Sequence, residues 1–139
     1  MHVDLEATQM IGQTPVGIRQ VFIVKAGTFD GPKLKGTLLP GGGDWATLRP
    51  DGAVQLDVRA TLKTEDGALV YVYYSGIIGD AMKIAGRIFG GEDVPLSDYY
   101  FYTNPMFQTG AQHDSLNRTV AIGRGRVIAG GVWAVTQPH

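Results

Sequence analysis

The sequence predicts an all-β fold: a single antiparallel β-barrel of about eight to ten strands, with one short helix or lid around residues 80–89. Three observations carry that expectation. Strand-like runs follow one another at short intervals over the 139 residues, with no internal repeat, linker or low-complexity tail. Clusters of Pro, Gly, Asn and Asp separate the runs, which is the turn chemistry that antiparallel hairpins require. The chain also holds 20 glycines, about twice the average share of roughly 7%. Glycine supplies the positive φ of tight turns and the bends of strongly curved sheet.

The runs fall at 2–9, 16–28, 33–39, 44–49, 53–63, 68–78, 98–108, 118–126 and 127–136. One interval has helical spacing instead, with Ala81, Ile84, Ala85 and Ile88 recurring at three- and four-residue steps. Asp80 is placed to cap this helix and Gly90-Gly91 to end it, while the internal Gly86 costs it about 1 kcal/mol. The length suits one domain, residues 1–139, large enough to bury a core without disulfides or metals.

Composition narrows the chemistry. Net charge is −1 with no cluster of Lys and Arg, so no nucleic-acid partner is expected. There is no cysteine, which removes disulfides, thiol nucleophiles and thiolate metal sites. His2 and His139 are terminal, and the one internal histidine, His113, cannot make a standard zinc site alone; no metal is expected. No apolar run approaches the ~20 residues that span a bilayer, so no membrane partner is expected either. The stretch MHVDLEATQM lacks a basic n-region and an apolar h-region, and a cytoplasmic protein is the expectation. Pro40-Gly41-Gly42-Gly43 leads into a strand instead of a helix N-terminus, so it reads as a turn that presents Asp44 and Trp45 at a barrel rim.

Two turns set a register. In Pro50-Asp51-Gly52, Pro pre-sets φ and Gly takes positive φ, which makes a three-residue hairpin loop pairing Arg49 with Ala53. Thr47 then faces Gln55, and Trp45 faces Asp57. The same turn at Glu65-Asp66-Gly67 pairs Thr64 with Ala68, placing Thr61 opposite Tyr71, Arg59 opposite Tyr73 and Asp57 opposite Ser75. Alternation sorts these strands into two faces. One carries Ala46, Leu48, Val54, Leu56, Val58, Ala60, Leu62, Val70, Val72 and Tyr74, a plain core face. The other combines Trp45, Tyr71 and Tyr73 with Asp57 and Arg59.

That second face has the makings of a ligand surface, since aromatic walls with a few convergent polar groups are what small-molecule pockets look like. Arg59 suits a carboxylate or a developing oxyanion, Asp57 its partner or a general base, and Tyr71 or Tyr73 a proton donor. The alternative is an exposed ion pair worth roughly 0–1 kcal/mol beside amphipathic rings. Further along, Tyr99-Tyr100-Phe101-Tyr102 sends Tyr100 and Tyr102 to one face and Tyr99 and Phe101 to the other.

The ordered series Gly27, Gly31-Pro32, Gly36, Pro40-Gly41-Gly42, Asp44-Trp45, Asp51-Gly52, Asp57, Arg59 and Asp66-Gly67 resembles the "domain of unknown function 3237" family. Later echoes are Pro105-Met106-Phe107, Gly110, Leu116-Asn117 and Gly123. The resemblance implies a small antiparallel barrel akin to lipocalin-like and allene oxide cyclase-like barrels, commonly assembled as an oligomer. It brings no general activity, but it adds weight to Asp44, Trp45, Asp57 and Arg59.

The leading expectation is a cofactor-independent enzyme of isomerase, cyclase or lyase type, acting on a small, largely apolar oxygenated molecule in the barrel lumen. Its candidate catalytic residues are Asp57, Arg59, Tyr73 and Tyr102; Trp45, Asp44, Tyr71 and Trp133 are the candidate ligand-binding residues. A non-catalytic carrier of a similar ligand, or an oligomerising module whose aromatic face is an interface, are the alternatives. A homo-oligomer, dimer or higher, is expected.

Overall fold

Among the described residues, ten strands and one α-helix follow from this pattern. The structure, a computed structural model, describes residues 1–31, 34–98, 100–128 and 131–138, without the side chains of 7, 89, 96, 127, 128 and 131–138. The strands are β1 (His2–Thr14), β2 (Gly17–Asp30), β3 (Lys35–Leu38), β4 (Gly43–Leu48), β5 (Val54–Thr64), β6 (Leu69–Ile78), β7 (Phe101–Thr103), β8 (Met106–Thr109), β9 (Ala121–Ile128) and β10 (Gly131–Pro138). Helix α1 spans Ala81–Phe89, and 3-10 turns lie at Leu96–Asp98 and Ala111–Arg118. Among the described residues, no helix is long and apolar enough to cross a membrane.

The strands join in the order β3-β5-β4-β2-β1-β10-β9-β7-β6-β8, with β3 also pairing with β2 and β5 with β6. The β5–β6 ladder returns the sheet upon itself, so β5-β4-β2-β1-β10-β9-β7-β6 form a closed antiparallel circuit. Closure of this kind removes sheet edges.

Both hairpins adopt the register that their turn chemistry predicts. The Arg49 N–H donates to the Ala53 carbonyl at 2.9 Å and the Thr64 N–H to Ala68 at 2.9 Å. Gly52 and Gly67 take φ of 86° and 88°. Thr47 faces Gln55, Asp57 faces Ser75, Arg59 faces Tyr73 and Thr61 faces Tyr71.

Three local expectations are corrected. Strand β1 runs on to Thr14, because β-bulges between Asp4 and Gly12 let it follow β2 to the turn before Gly17. The run 98–108 is cut at Asn104-Pro105, since Pro cannot donate to a ladder; β7 and β8 pair with different halves of β6. Asp80 sits in the left-handed region with φ 49° and makes no side-chain cap. The helix does end at Gly90, whose N–H donates to the Gly86 carbonyl while that of Gly91 donates to the Ile88 carbonyl.

The core forms two clusters. One holds Ala46, Leu56, Val58, Ile78, Ile84, Val94 and Phe101, with Ala81 and Ile88 of α1 packed on it. The other holds Val3, Val24, Leu38, Ala60, Leu62, Val70 and Val72, with Leu116 of the second 3-10 turn packed on it. Tyr74 packs against both clusters. The inner face is thus the plain apolar one. The reading that puts Asp57, Arg59, Tyr71, Tyr73 and Trp45 in the lumen is corrected: these residues stand on the outer side, with Asp57 and Arg59 exposed and Trp45 38% exposed. Alternation sorts two faces but is symmetric about which one faces inward, and the larger apolar area decides it.

Candidate functional site

Among the described residues, the inner face carries one ionisable row. Register places Phe22 of β2 opposite Asp44, Asp44 opposite Val58 of β5, and Val58 opposite Tyr74 of β6. Directly opposed residues share a face, and Val58 belongs to the core, so all four point into the barrel. Asp44 also shares its alternation with Ala46, which is buried against the same core. The row lies at the level of Tyr74, the ring that touches both core clusters. Val58, Ala46 and Val72 are buried, whereas Phe22, Asp44 and Tyr74 keep part of their surface.

Burial pushes the Asp44 carboxyl up to about 6; the Asp57 N–H, donating to Oδ1 at 3.0 Å, pulls it back, and the Asp57 charge adds to the rise. Burial, and then the charge of Asp44, push the Tyr74 phenol well above its ordinary value. Tyr74 stays a neutral donor at any physiological pH. The described hydrogen bonds leave Asp44 Oδ2 and the Tyr74 hydroxyl open to water or a guest. A carboxylate that titrates near neutrality beside a neutral phenol, in apolar walls, can take a proton from a guest and hydrogen-bond its oxygen.

Asp57, Arg59, Trp45, Tyr71, Tyr73 and Tyr102 are scattered over the outer surface. Arg59 donates to the Tyr71 hydroxyl at 3.1 Å instead of pairing with Asp57. Tyr71 and Tyr73 stack with centroids 5.3 Å apart. Tyr102 of β7 meets Tyr100 edge-on at 5.1 Å, and the Arg124 guanidinium lies 5.3 Å from its ring. Both tyrosines border an open groove of about 340 Å³ with Gln55, Ser75, Asn104 and Ile122. Phe101, alternating with them, is core, and Tyr99 lies outside the described residues. Trp133 pairs through its backbone with His2 and Arg126, and its side chain lies outside the described residues. His113 sits in the second 3-10 turn, with Nε2 3.0 Å from Asp66 Oδ2. Among the described residues, no three His, Asp or Glu side chains gather to hold a metal.

Of the predicted site residues whose side chains are described, then, only Asp44 faces the lumen, and Tyr74 across the row belongs to the core face that the sequence defines. The signal for both was present. The register that places Ala46 and Leu48 inward places Asp44 inward too, and a carboxylate on a core face is the informative exception.

The chain belongs to the family described as "Protein of unknown function (DUF3237)", whose sequence model matches residues 1–136. It is 32% identical over 99 residues to a UPF0311 protein of Rhodopseudomonas palustris, a match covering 71% of this chain and 65% of that relative. Among solved structures it is similar to a β-barrel-like protein of Acinetobacter baumannii, at 31% identity and TM-score 0.83, covering 99% of this chain and 89% of that one. An enzyme from Penicillium herquei shares the fold at 20% identity and TM-score 0.68, covering 99% and 90% of the two chains.

Proposed function

We propose that this DUF3237 protein is a cofactor-independent acid–base enzyme that takes a small, largely apolar oxygenated molecule into its barrel against Asp44 and Tyr74. The observation that carries the reading is the inward carboxylate of Asp44, pushed up to about 6 in apolar surroundings. Above that pH it is ionised yet basic enough to remove a proton from carbon next to a carbonyl, becoming the acid that returns it. Tyr74 would hydrogen-bond the oxygen on which negative charge grows. Returning the proton at another carbon gives an isomerisation; returning it to a leaving oxygen as the C–O bond breaks gives an elimination; addition of a hydroxyl of the guest across its own C=C conjugated to the carbonyl, with Asp44 carrying the hydroxyl proton to carbon, gives a cyclisation. Each balances without an electron acceptor. The fold is compatible with catalysis, since a distant protein of the same shape is an enzyme, though shared fold is analogy.

The test is proton exchange. A panel of small apolar ketones incubated with the protein in D2O should gain deuterium beside the carbonyl faster than in buffer, and Asp44→Asn should abolish the gain. Exchange that survives in Asp44→Asn would overturn the assignment. A second reading rests on the exposure of Trp45 and Arg59: the outer β4–β5–β6 face as a contact between copies of the chain. Dilution should then expose Trp45 without touching exchange at Asp44.

A further inference from the structure

The ladder between β4 and β5 opens beside Asp44, and two side chains occupy the opening. Gly43 pairs with Arg59 and Asp44 with Val58; further along, Thr47 pairs with Gln55 and Leu48 with Val54. The register is the same on both sides, yet Trp45 and Ala46 are not bridged to Asp57 and Leu56. Counting in twos from the Arg49 N–H that donates to the Ala53 carbonyl at the turn, Trp45 and Asp57 fall at a hydrogen-bonded position of that register. Instead the Asp57 N–H donates to Asp44 Oδ1 at 3.0 Å, and the Trp45 carbonyl accepts from Arg19 Nη1 at 2.8 Å. The Asp57 N–H and the Trp45 carbonyl, which would bond each other in a continuous ladder, are thus each taken by a side chain.

We propose that Arg19 is a positioning residue for Asp44: by occupying the Trp45 carbonyl it holds the β4–β5 ladder open and leaves the Asp57 N–H to orient the carboxylate. This rests on Asp44 being the working base. A cation on a carbonyl is a charge-assisted bond and competes well with a neutral N–H. Without it, the Trp45 carbonyl is left for the Asp57 N–H, the ladder closes, and Asp44 loses the contact that fixes one oxygen and aims the other at the lumen. The charged or titratable groups of the surrounding strands are Asp57, Arg59 and Lys63 on β5, Tyr71, Tyr73 and Tyr74 on β6, and Arg19, Lys25 and Asp30 on β2. Of these the Asp57 charge raises the carboxyl and the Asp57 N–H lowers it. Losing the N–H therefore moves the titration of Asp44 upward.

The experiment is an amide NMR titration of the intact protein. In the wild type the Asp57 amide proton should shift with the midpoint of Asp44, and Asp44→Asn should erase that transition. In Arg19→Met the Asp57 amide should lose the transition, while the Asp44 carboxyl titrates higher by about half a unit to one unit. Arg19→Lys, which keeps a donor for the carbonyl, should restore much of both. If the Asp57 amide in the wild type ignores Asp44, or still follows it unchanged in Arg19→Met, the proposal is overturned. A merely structural Arg19 would lower stability and leave both readouts in place. Failure of the acid–base reading would show separately, as absent deuterium exchange with the Asp57 signature intact.

Discussion

Replacing Asp44 by Asn keeps the side chain's shape and its acceptor for the Asp57 N–H, but removes the charge from the barrel interior. The folded carboxyl lies above its unfolded value, so the folded protein binds the proton more tightly. Below pH 3.8 both states are protonated and the charge costs nothing. As pH rises through the window from 3.8 to about 6 the unfolded state ionises first, and the folded state loses stability relative to it; above about 6 the loss is complete. A rise from 3.8 to about 6, at about 1.4 kcal/mol per unit, caps the cost at about 3 kcal/mol. Water at the part-exposed carboxyl brings that to about 1–2 kcal/mol. Urea unfolding of both proteins measures it. Asp44→Asn should match the wild type near pH 4 and exceed it by about 1–2 kcal/mol at pH 7.5. A difference that does not grow with pH would refute the buried, raised carboxyl.

Two further changes test how the site is framed. Gly86, in α1, has open space where a Cβ would go, so Gly86→Ala should stabilise the helix by about 1 kcal/mol; a Cβ on Gly36 would lie 2.0 Å from the Lys63 carbonyl, so Gly36→Ala should cost about 2 kcal/mol or more. Thermal unfolding reads both, and equal effects would contradict the close β3–β5 approach. Asp66 accepts from Gln112 and from His113 across the barrel end. The Thr64 hydroxyl first, and then Ala68 and His113, hold its carboxyl below the ordinary range, so this tether persists above the ordinary carboxylate pKa and is lost as pH falls through the lowered one. Asp66→Ala should speed hydrogen exchange across 111–118 and leave Val58 and Val72 protected. Unchanged exchange there would show that Leu116 packing alone holds the segment.

The turns made much of this legible. Pro50-Asp51-Gly52 and Glu65-Asp66-Gly67 each admit one economical loop, and a loop fixes pairing for a whole hairpin, so opposed residues such as Arg59 and Tyr73 were readable from local chemistry. The inner side was harder to read. Tyr71, Tyr73 and Trp45 draw attention as aromatics around an ion pair, but amphipathic rings tolerate an outer barrel surface and Arg59 binds Tyr71 there. Asp44 opens the run 44–49 straight after three glycines, a place that suits a barrel rim, although its alternation with Ala46 makes it an inner residue. The Arg19–Trp45 contact spans 26 positions in sequence. No local pattern announces it, because it depends on the β2–β4 ladder bringing a distant strand alongside.

The most direct measurement is a carbon-13 titration of the Asp44 side-chain carboxyl, assigned by its disappearance in Asp44→Asn. A midpoint of about 6, accompanied by a Tyr74 ring that senses the transition, is the predicted result. A midpoint near 4, the value of a solvated aspartate, would place the carboxyl in open water and contradict a base held inside the barrel.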